Sequence, residues 1–129
     1  MPYVRFLCAV PGRTNTADAL RRSREDVFSQ SRMDIIAIPR ILVLISDGYA
    51  NVDEQYTVSN ATALKDDEVV VYSVGVSSSA NEEELIVIAG SEGKVFFLED
   101  FNETEFVNLR GRIINDACLG KLSTCKVSK

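Results

Sequence analysis

The stretch Pro39-Arg40-Ile41-Leu42-Val43-Leu44-Ile45-Ser46-Asp47-Gly48 decides how this chain is read. Five consecutive apolar residues, Ile41 to Ile45, lead into Ser-Asp-Gly. A run so short, branched and uninterrupted reads as a parallel strand buried on both faces. Pro39 bars a helix from running into it, and Gly48 lets the chain turn where it ends. Ligands of open α/β sheets bind outside the carboxyl ends of the strands, so Asp47 stands where chemistry is expected. A carboxylate beside that much apolar surface needs a cation, hydrogen-bond donors or water. Asp-Gly is also a common turn pair, and a turn alone would account for Asp47.

Working outward, Val69-Val70-Val71-Tyr72-Ser73-Val74-Gly75-Val76 is a second β-branched, continuous strand. Lys94 to Leu98 reads as a third, and Tyr3 to Val10 as a further strand that Pro11-Gly12 ends. Helical spacing falls between them. A helix over about residues 17–30 follows the capping groups Arg13-Thr14-Asn15-Thr16 and carries Ala17, Leu20, Val27 and Phe28 on one stripe. Residues 31–38 connect it to the first strand. A second helix over about 54–65 turns Val58, Ala61 and Leu64 inward. A third, Glu82 to Ala89, is capped by Asn81, carries three acids at its positive end and stops at Gly90. The last, about 103–117, turns Phe106, Leu109, Ile113 and Ile114 inward, and the tail from Cys118 looks loose. Strict alternation of strand and helix means βαβ units, a parallel sheet and right-handed crossovers.

Composition narrows the function. At 129 residues the chain is one domain at most. A hydrophobic content of 46% and a charged content of 26% are those of an ordinary globular protein. A net charge of -5 with no basic stripe argues against nucleic acid and suits a divalent cation or a basic protein surface. No apolar run is long enough to insert in a membrane, and residues 1–11 do not make a convincing signal peptide. The absence of histidine removes Ser-His-Asp and Cys-His schemes and most zinc sites. Cys8, Cys118 and Cys125 show no CxxC spacing; Cys125 or Cys8 would each serve as a partner for Cys118. Asn60-Ala61-Thr62 and Asn102-Glu103-Thr104 are glycosylation sequons.

Dinucleotide, P-loop and GxSxG signatures are absent. A Mg²⁺-dependent phosphatase-type enzyme would need a nucleophile–base pair, which one isolated acid does not supply. What remains is oxygen chemistry: the Thr14 and Thr16 hydroxyls before one helix and Asp47 at a strand end. Hydroxyl plus carboxylate suits a hard cation such as Mg²⁺; helix capping is the plainer role for the threonines.

Gly12-Arg13-Thr14-Asn15-Thr16, then Ile41 to Gly48, then Val71-Tyr72-Ser73-Val74-Gly75-Val76, then Val95-Phe96-Phe97-Leu98 and a final helix reaching Cys118, resemble a von Willebrand factor type A domain in order. The extracellular, collagen- and matrilin-like branch is the most similar. The resemblance implies a three-layer, Rossmann-like parallel sheet flanked by helices, here incomplete, with three or four strands. It implies adhesion instead of catalysis, through a metal-ion-dependent adhesion site. Thr14 and Asp47 match that site's threonine and aspartate positions, and Mg²⁺, Mn²⁺ or Ca²⁺ would bridge to an extracellular partner such as collagen or another matrix protein.

The family's Asp-x-Ser-x-Ser, which follows its central strand and gives most of the ligands, occurs nowhere in this chain. The chain therefore resembles the C-terminal part of such a domain: residues 1–11 unmatched, 12–118 domain-like, 119–129 a tail. Metal binding is expected to be weak or absent, with a metal-independent structural fragment as the alternative. The resemblance also implies a secreted parent protein, in whose relatives the cysteine after the last helix pairs with one ahead of the first strand. That stretch is missing here. The strand that would flank Ile41–Ile45 is missing too, which leaves an apolar edge that residues 3–10 are expected to fill.

Overall fold

The structure, a computed structural model, describes residues 13–29, 40–47, 49–100 and 102–119. The readings made for residues 3–10, 31–38, Cys8, Pro39, Gly48, Cys125 and the tail from 120 lie outside the described residues. The elements alternate: α1 (Thr16–Arg22), β1 (Arg40–Ser46), α2 (Thr57–Asp66), β2 (Val69–Val76), α3 (Glu82–Ala89), β3 (Val95–Leu98) and α4 (Glu103–Leu119). The three strands form a parallel sheet in the order β1-β2-β3, with Arg40 opposite Val69 and Ser73 opposite Val95.

Alternate side chains sort into two cores. One face joins Leu20 of α1, Ala61 and Leu64 of α2 and Ile88 of α3 to Val69 and Val71, with Leu42 and Leu44 at its border. The other joins Leu109 and Ile113 of α4 to Tyr72, Val74, Val76, Phe96 and Leu98, with Ile41 and Ile45 at its border. The result is the expected three-layer α/β arrangement. Tyr72 is 1% exposed, and its hydroxyl donates to Asp116 Oδ2 at 2.7 Å. Burial and that carboxylate raise the Tyr72 pKa.

Several local readings need correction. The first helix is regular only to Arg22; residues 23–28 wind as a π-helix, and the Ser29 N–H donates to the Arg24 carbonyl. The Ser23 hydroxyl bonds back to the Ala19 carbonyl at 2.8 Å, a competition that helix-interior serines set up. The second helix opens with a 3₁₀ turn, Glu54–Tyr56. Its buried stripe is Thr57, Ala61 and Leu64, while Val58 is 53% exposed. Lys94 closes a 3₁₀ turn before β3 instead of entering the strand. In α4 Leu109 and Ile113 are buried and Phe106 packs against the same core, as read, but Ile114 points out at 45% exposure. Spacing identifies a helix but leaves its rotation open by a residue when apolar side chains are adjacent.

The largest difference concerns β1. It is not buried on both faces: its residues are all half-buried except Val43, which is exposed. β2, with the same kind of sequence, is buried at all positions but Val70. Among the described residues β1 is an edge strand, and an edge leaves both flanks of its side chains partly uncovered.

At the amino end of the sheet, Arg24 Nε donates to Asp67 Oδ2 at 2.6 Å and Arg40 donates to the Asp67 carbonyl. The Asp66-Asp67-Glu68 corner is thus tied to α1 and β1. The Arg24 hydrogen bond holds the Asp67 carboxyl below its usual value, and Arg21 followed by Arg22 does the same for Asp18. A depressed folded pKa contributes stability that is fully present above the unfolded value and is lost as pH falls through the folded one. Unfolding midpoints should therefore decline as pH drops below 3.8. The decline should be shallower in an Asp18→Asn, Asp67→Asn double variant. The effect is small because these pairs face solvent; an identical slope in the variant would count against it.

Candidate functional site

Three loops meet at the carboxyl edge of the sheet: residues 13–15 before α1, Asp47 and 49–53 after β1, and 77–81 after β2. The second loop holds Thr14 through its backbone. The Thr14 N–H donates to Asn51 Oδ1 at 2.9 Å, and its carbonyl accepts from the N–H groups of Asn51 at 3.0 Å and Val52 at 3.3 Å. Asn15 has two roles. Its Oδ1 accepts from the Asp18 N–H at 2.8 Å and caps α1, and its Nδ2 donates to Asp53 Oδ2 at 3.0 Å. The cap of α1 is therefore Asn15, and the Thr14 hydroxyl takes no part in it.

The third loop braces the second. Ser79 Oγ donates to the Asp47 carbonyl at 2.7 Å, and Glu84 Oε2 accepts from the Ala50 N–H at 3.2 Å. Asp53 and Ser77 hold left-handed backbone, φ 54° and 69°, without being glycine. Such residues persist where surrounding contacts over-determine them. Asp47, Asp53, Glu54, Glu82 and Glu83 are exposed along this edge, with Arg13 as the base beside Thr14. The acids of α3 lie at its positive end. Tyr49 and Tyr56 flank the loops at 63% and 55% exposure.

Thr14, half-buried, and Asp47, exposed, thus lie in one braced cluster of loops. The bracing residues Asn15, Asn51, Ser79 and Glu84 carry no signal in sequence, because Asn, Ser and Glu in loops and helix starts are commonplace. Among the described residues, no three of Asp, Glu and Cys group as a metal site requires. The two sequons differ. Asn60 is half-buried on α2, and its Nδ2 donates to the Ala17 carbonyl of α1 at 3.0 Å. Asn102 is exposed and caps α4, accepting from the Glu105 N–H at 2.9 Å. Cys118 is half-buried near the end of α4.

The sequence pattern that describes the von Willebrand factor type A domain matches residues 9–110. The chain belongs to this family. Within the type A family it resembles the human collagen alpha-6(VI) chain, 31% identical over 123 residues that make up 94% of this chain. It spans only 5% of that relative's length. Proximal thread matrix protein 1 of the mussel byssus shares the type A fold at a TM-score of 0.67 and 26% identity, over 81% of this chain and 25% of that one. A second structure of the mussel protein, with a zinc-occupied MIDAS motif (the metal-ion-dependent adhesion site), superposes at a TM-score of 0.67 and 24% identity, over 83% and 26% of the two chains. These relatives put the chain in the collagen and matrix-protein branch of the type A family. No helix among the described residues is long and apolar enough to cross a membrane.

Proposed function

We propose that this type A chain is a non-catalytic, protein-binding module of the extracellular matrix, which presents the carboxyl edge of its sheet to a partner such as collagen. The observation that supports this reading is the bracing of the Thr14 loop by Asn51, Val52 and Asp53, just after Asp47. Such pre-organisation lowers the cost of ordering loops when a partner binds. The exposed Tyr49 and Tyr56 suit the rim, since tyrosines combine apolar area with a polar tip.

The donor chemistry here is hard oxygen, which suits Mg²⁺, Mn²⁺ or Ca²⁺. The number of donors does not suit a tight site. The Thr14 hydroxyl and the Asp47 carboxylate supply two protein ligands where such ions take about six, and Asp-x-Ser-x-Ser is absent. In this reading Thr14 and Asp47 would hold such an ion weakly, and the ion would supply a positive centre for a partner carboxylate. The same reading makes the parent protein secreted and glycosylated. Of its two candidate acceptors, Asn102 is the more accessible, and a Cys118–Cys125 disulfide belongs to the same proposal. A metal-independent structural module is the second reading, favoured by the half-exposed β1.

Binding of the chain to immobilised collagen, with Mg²⁺ or Mn²⁺ and with chelator, tests the first reading. Asp47→Ala is expected to lower that binding about tenfold, while stability changes by less than about 0.5 kcal/mol, as exposed positions do. Each ion should raise the unfolding midpoint of the parent chain slightly, and that of Asp47→Ala not at all. If neither ion alters stability or binding and Asp47→Ala is silent, the adhesion-site reading fails for this chain.

A further inference from the structure

We propose that the open edge of β3 is a second docking site, apart from the Thr14 and Asp47 loops. It pairs with an extended segment of a partner protein and receives an acidic side chain of that segment on Arg112. β3 ends the sheet order β1-β2-β3, so among the described residues one of its flanks has no strand beside it. The main-chain groups of successive strand residues point to opposite flanks. The Leu98 carbonyl accepts from the Ser77 N–H at 2.9 Å, which turns Leu98 toward β2. Val95, Phe97 and Glu99 therefore face the open flank. Two of their groups are already taken there. The Val95 N–H donates to the Glu92 carbonyl, and the Glu99 N–H donates to Glu105 Oε2 at 3.1 Å. The Val95 carbonyl and the Phe97 N–H and carbonyl are left open among the described residues. Groups of this kind are what an added strand bonds to.

The side chains along this edge specify the occupant. Glu105, Asn108 and Arg112 stand three and four residues apart, on one stripe of α4. With Phe97 and Leu98 they border a groove of about 250 Å³ beside β3. The Arg112 guanidinium lies 4.6 Å from the centre of the Phe96 ring, a cation–π contact that holds it over the strand. Among the described residues it has no carboxylate partner. Its donors are thus positioned and unused, the state in which an arginine takes a carboxylate through two parallel hydrogen bonds.

Register sorts the partner's residues. In an added strand the side chain opposite Phe96 shares the face of Phe96, and so reaches Arg112. The side chain opposite Leu98 is on the same face but meets Glu99 and Glu105, where a base is favoured. The residue between them lies opposite Phe97. Phe97 is on the other face, toward Leu85 of α3, and is 46% exposed, which suits a β-branched neighbour. Charge and register together call for an acidic, an apolar and a basic residue in succession, read in either direction along the segment. Three main-chain bonds and one ion pair make the contact weak.

Two capped peptides, Thr-Val-Asp-Val-Lys-Val-Thr and its reverse, are the probes. Amide shifts and amide exchange of the full chain read their binding at millimolar peptide. One of the two is expected to shift the Phe97 amide and slow its exchange by at least about tenfold. Asparagine in place of the peptide's aspartate should weaken binding about threefold to fivefold, and so should Arg112→Gln, with Arg112→Lys in between. Arg112 is exposed, and a preserved unfolding midpoint separates loss of the contact from loss of the fold; the peptide change gives the same reading without touching the protein. N-methylation should abolish binding at alternate peptide residues and spare those between. The proposal is wrong if neither peptide moves the Phe97 amide, if the asparagine peptide binds as tightly as the parent, or if N-methylation acts without alternation. Protection of the Phe97 amide in the free chain also overturns it. Constant protection means that the chain itself covers the edge, and protection that rises with concentration means that a second copy does.

Discussion

Gly75→Ala is expected to destabilise the domain by about 1–3 kcal/mol, the usual cost of overpacking a filled core. Gly75 lies near the end of β2, the central strand, opposite Ser46 of β1 and Phe97 of β3. A Cβ at this position would meet the Ala80 Cβ at 2.8 Å, Leu85 Cδ1 at 2.9 Å and Phe97 Cδ1 at 2.9 Å. Leu85 and Phe97 have some freedom to rotate away. Ala80 has none, because its Cβ moves only with the loop between β2 and α3. The requirement is one of space, since Gly75 lacks the positive φ that Gly90 has at the end of α3. For a domain of this size the loss corresponds to a midpoint lower by about 5–10 °C, and Gly75→Val should be worse. An unchanged midpoint for Gly75→Ala would mean that the approach of α3 to the sheet is looser than these distances indicate.

Leu64→Ala should cost about 3 kcal/mol, within the range of about 2–5 for a buried leucine. Leu64 is fully buried and shares one core with Leu20, Ala61, Val69, Val71 and Ile88. It therefore links α1, α2, α3 and β2 at a single point, and the cavity left by its removal has several walls that cannot all collapse. Val58→Ala on the same helix is the matched control. At 53% exposure Val58 is expected to contribute less than about 0.5 kcal/mol. Denaturant unfolding of the two variants checks both values. Equal losses would put the inward face of α2 on the wrong residues.

How much of this was legible beforehand depends on the range of the interactions. Val69–Val76 and Glu82–Ala89 have the ends read from sequence. Their signals are local: a continuous β-branched run, an Asn81 cap that accepts from the Glu84 N–H, and Gly90 in the left-handed region. Thr14 and Asp47 are read as a pair only from the resemblance to the family's ordered motifs. The residues that brace their loops were not legible. Asn51, Ser79 and Asn15 act across sequence separations of 32 to 38 residues, and nothing near them in the chain distinguishes them from other loop residues.

By itself, then, the sequence determined the alternation of strands and helices, the parallel sheet, the family, and the absence of the Asp-x-Ser-x-Ser ligands. Each follows from periodicity, caps or ordered motifs that a few neighbouring residues carry. Only the tertiary structure decided that the apolar run Ile41–Ile45 is half-exposed while the similar Val69–Val76 is buried. The same holds for Val58 and Ile114 facing out. The physical reason is common to both. Burial belongs to the neighbours that an element acquires when it docks, and β1 has a strand on one side only among the described residues.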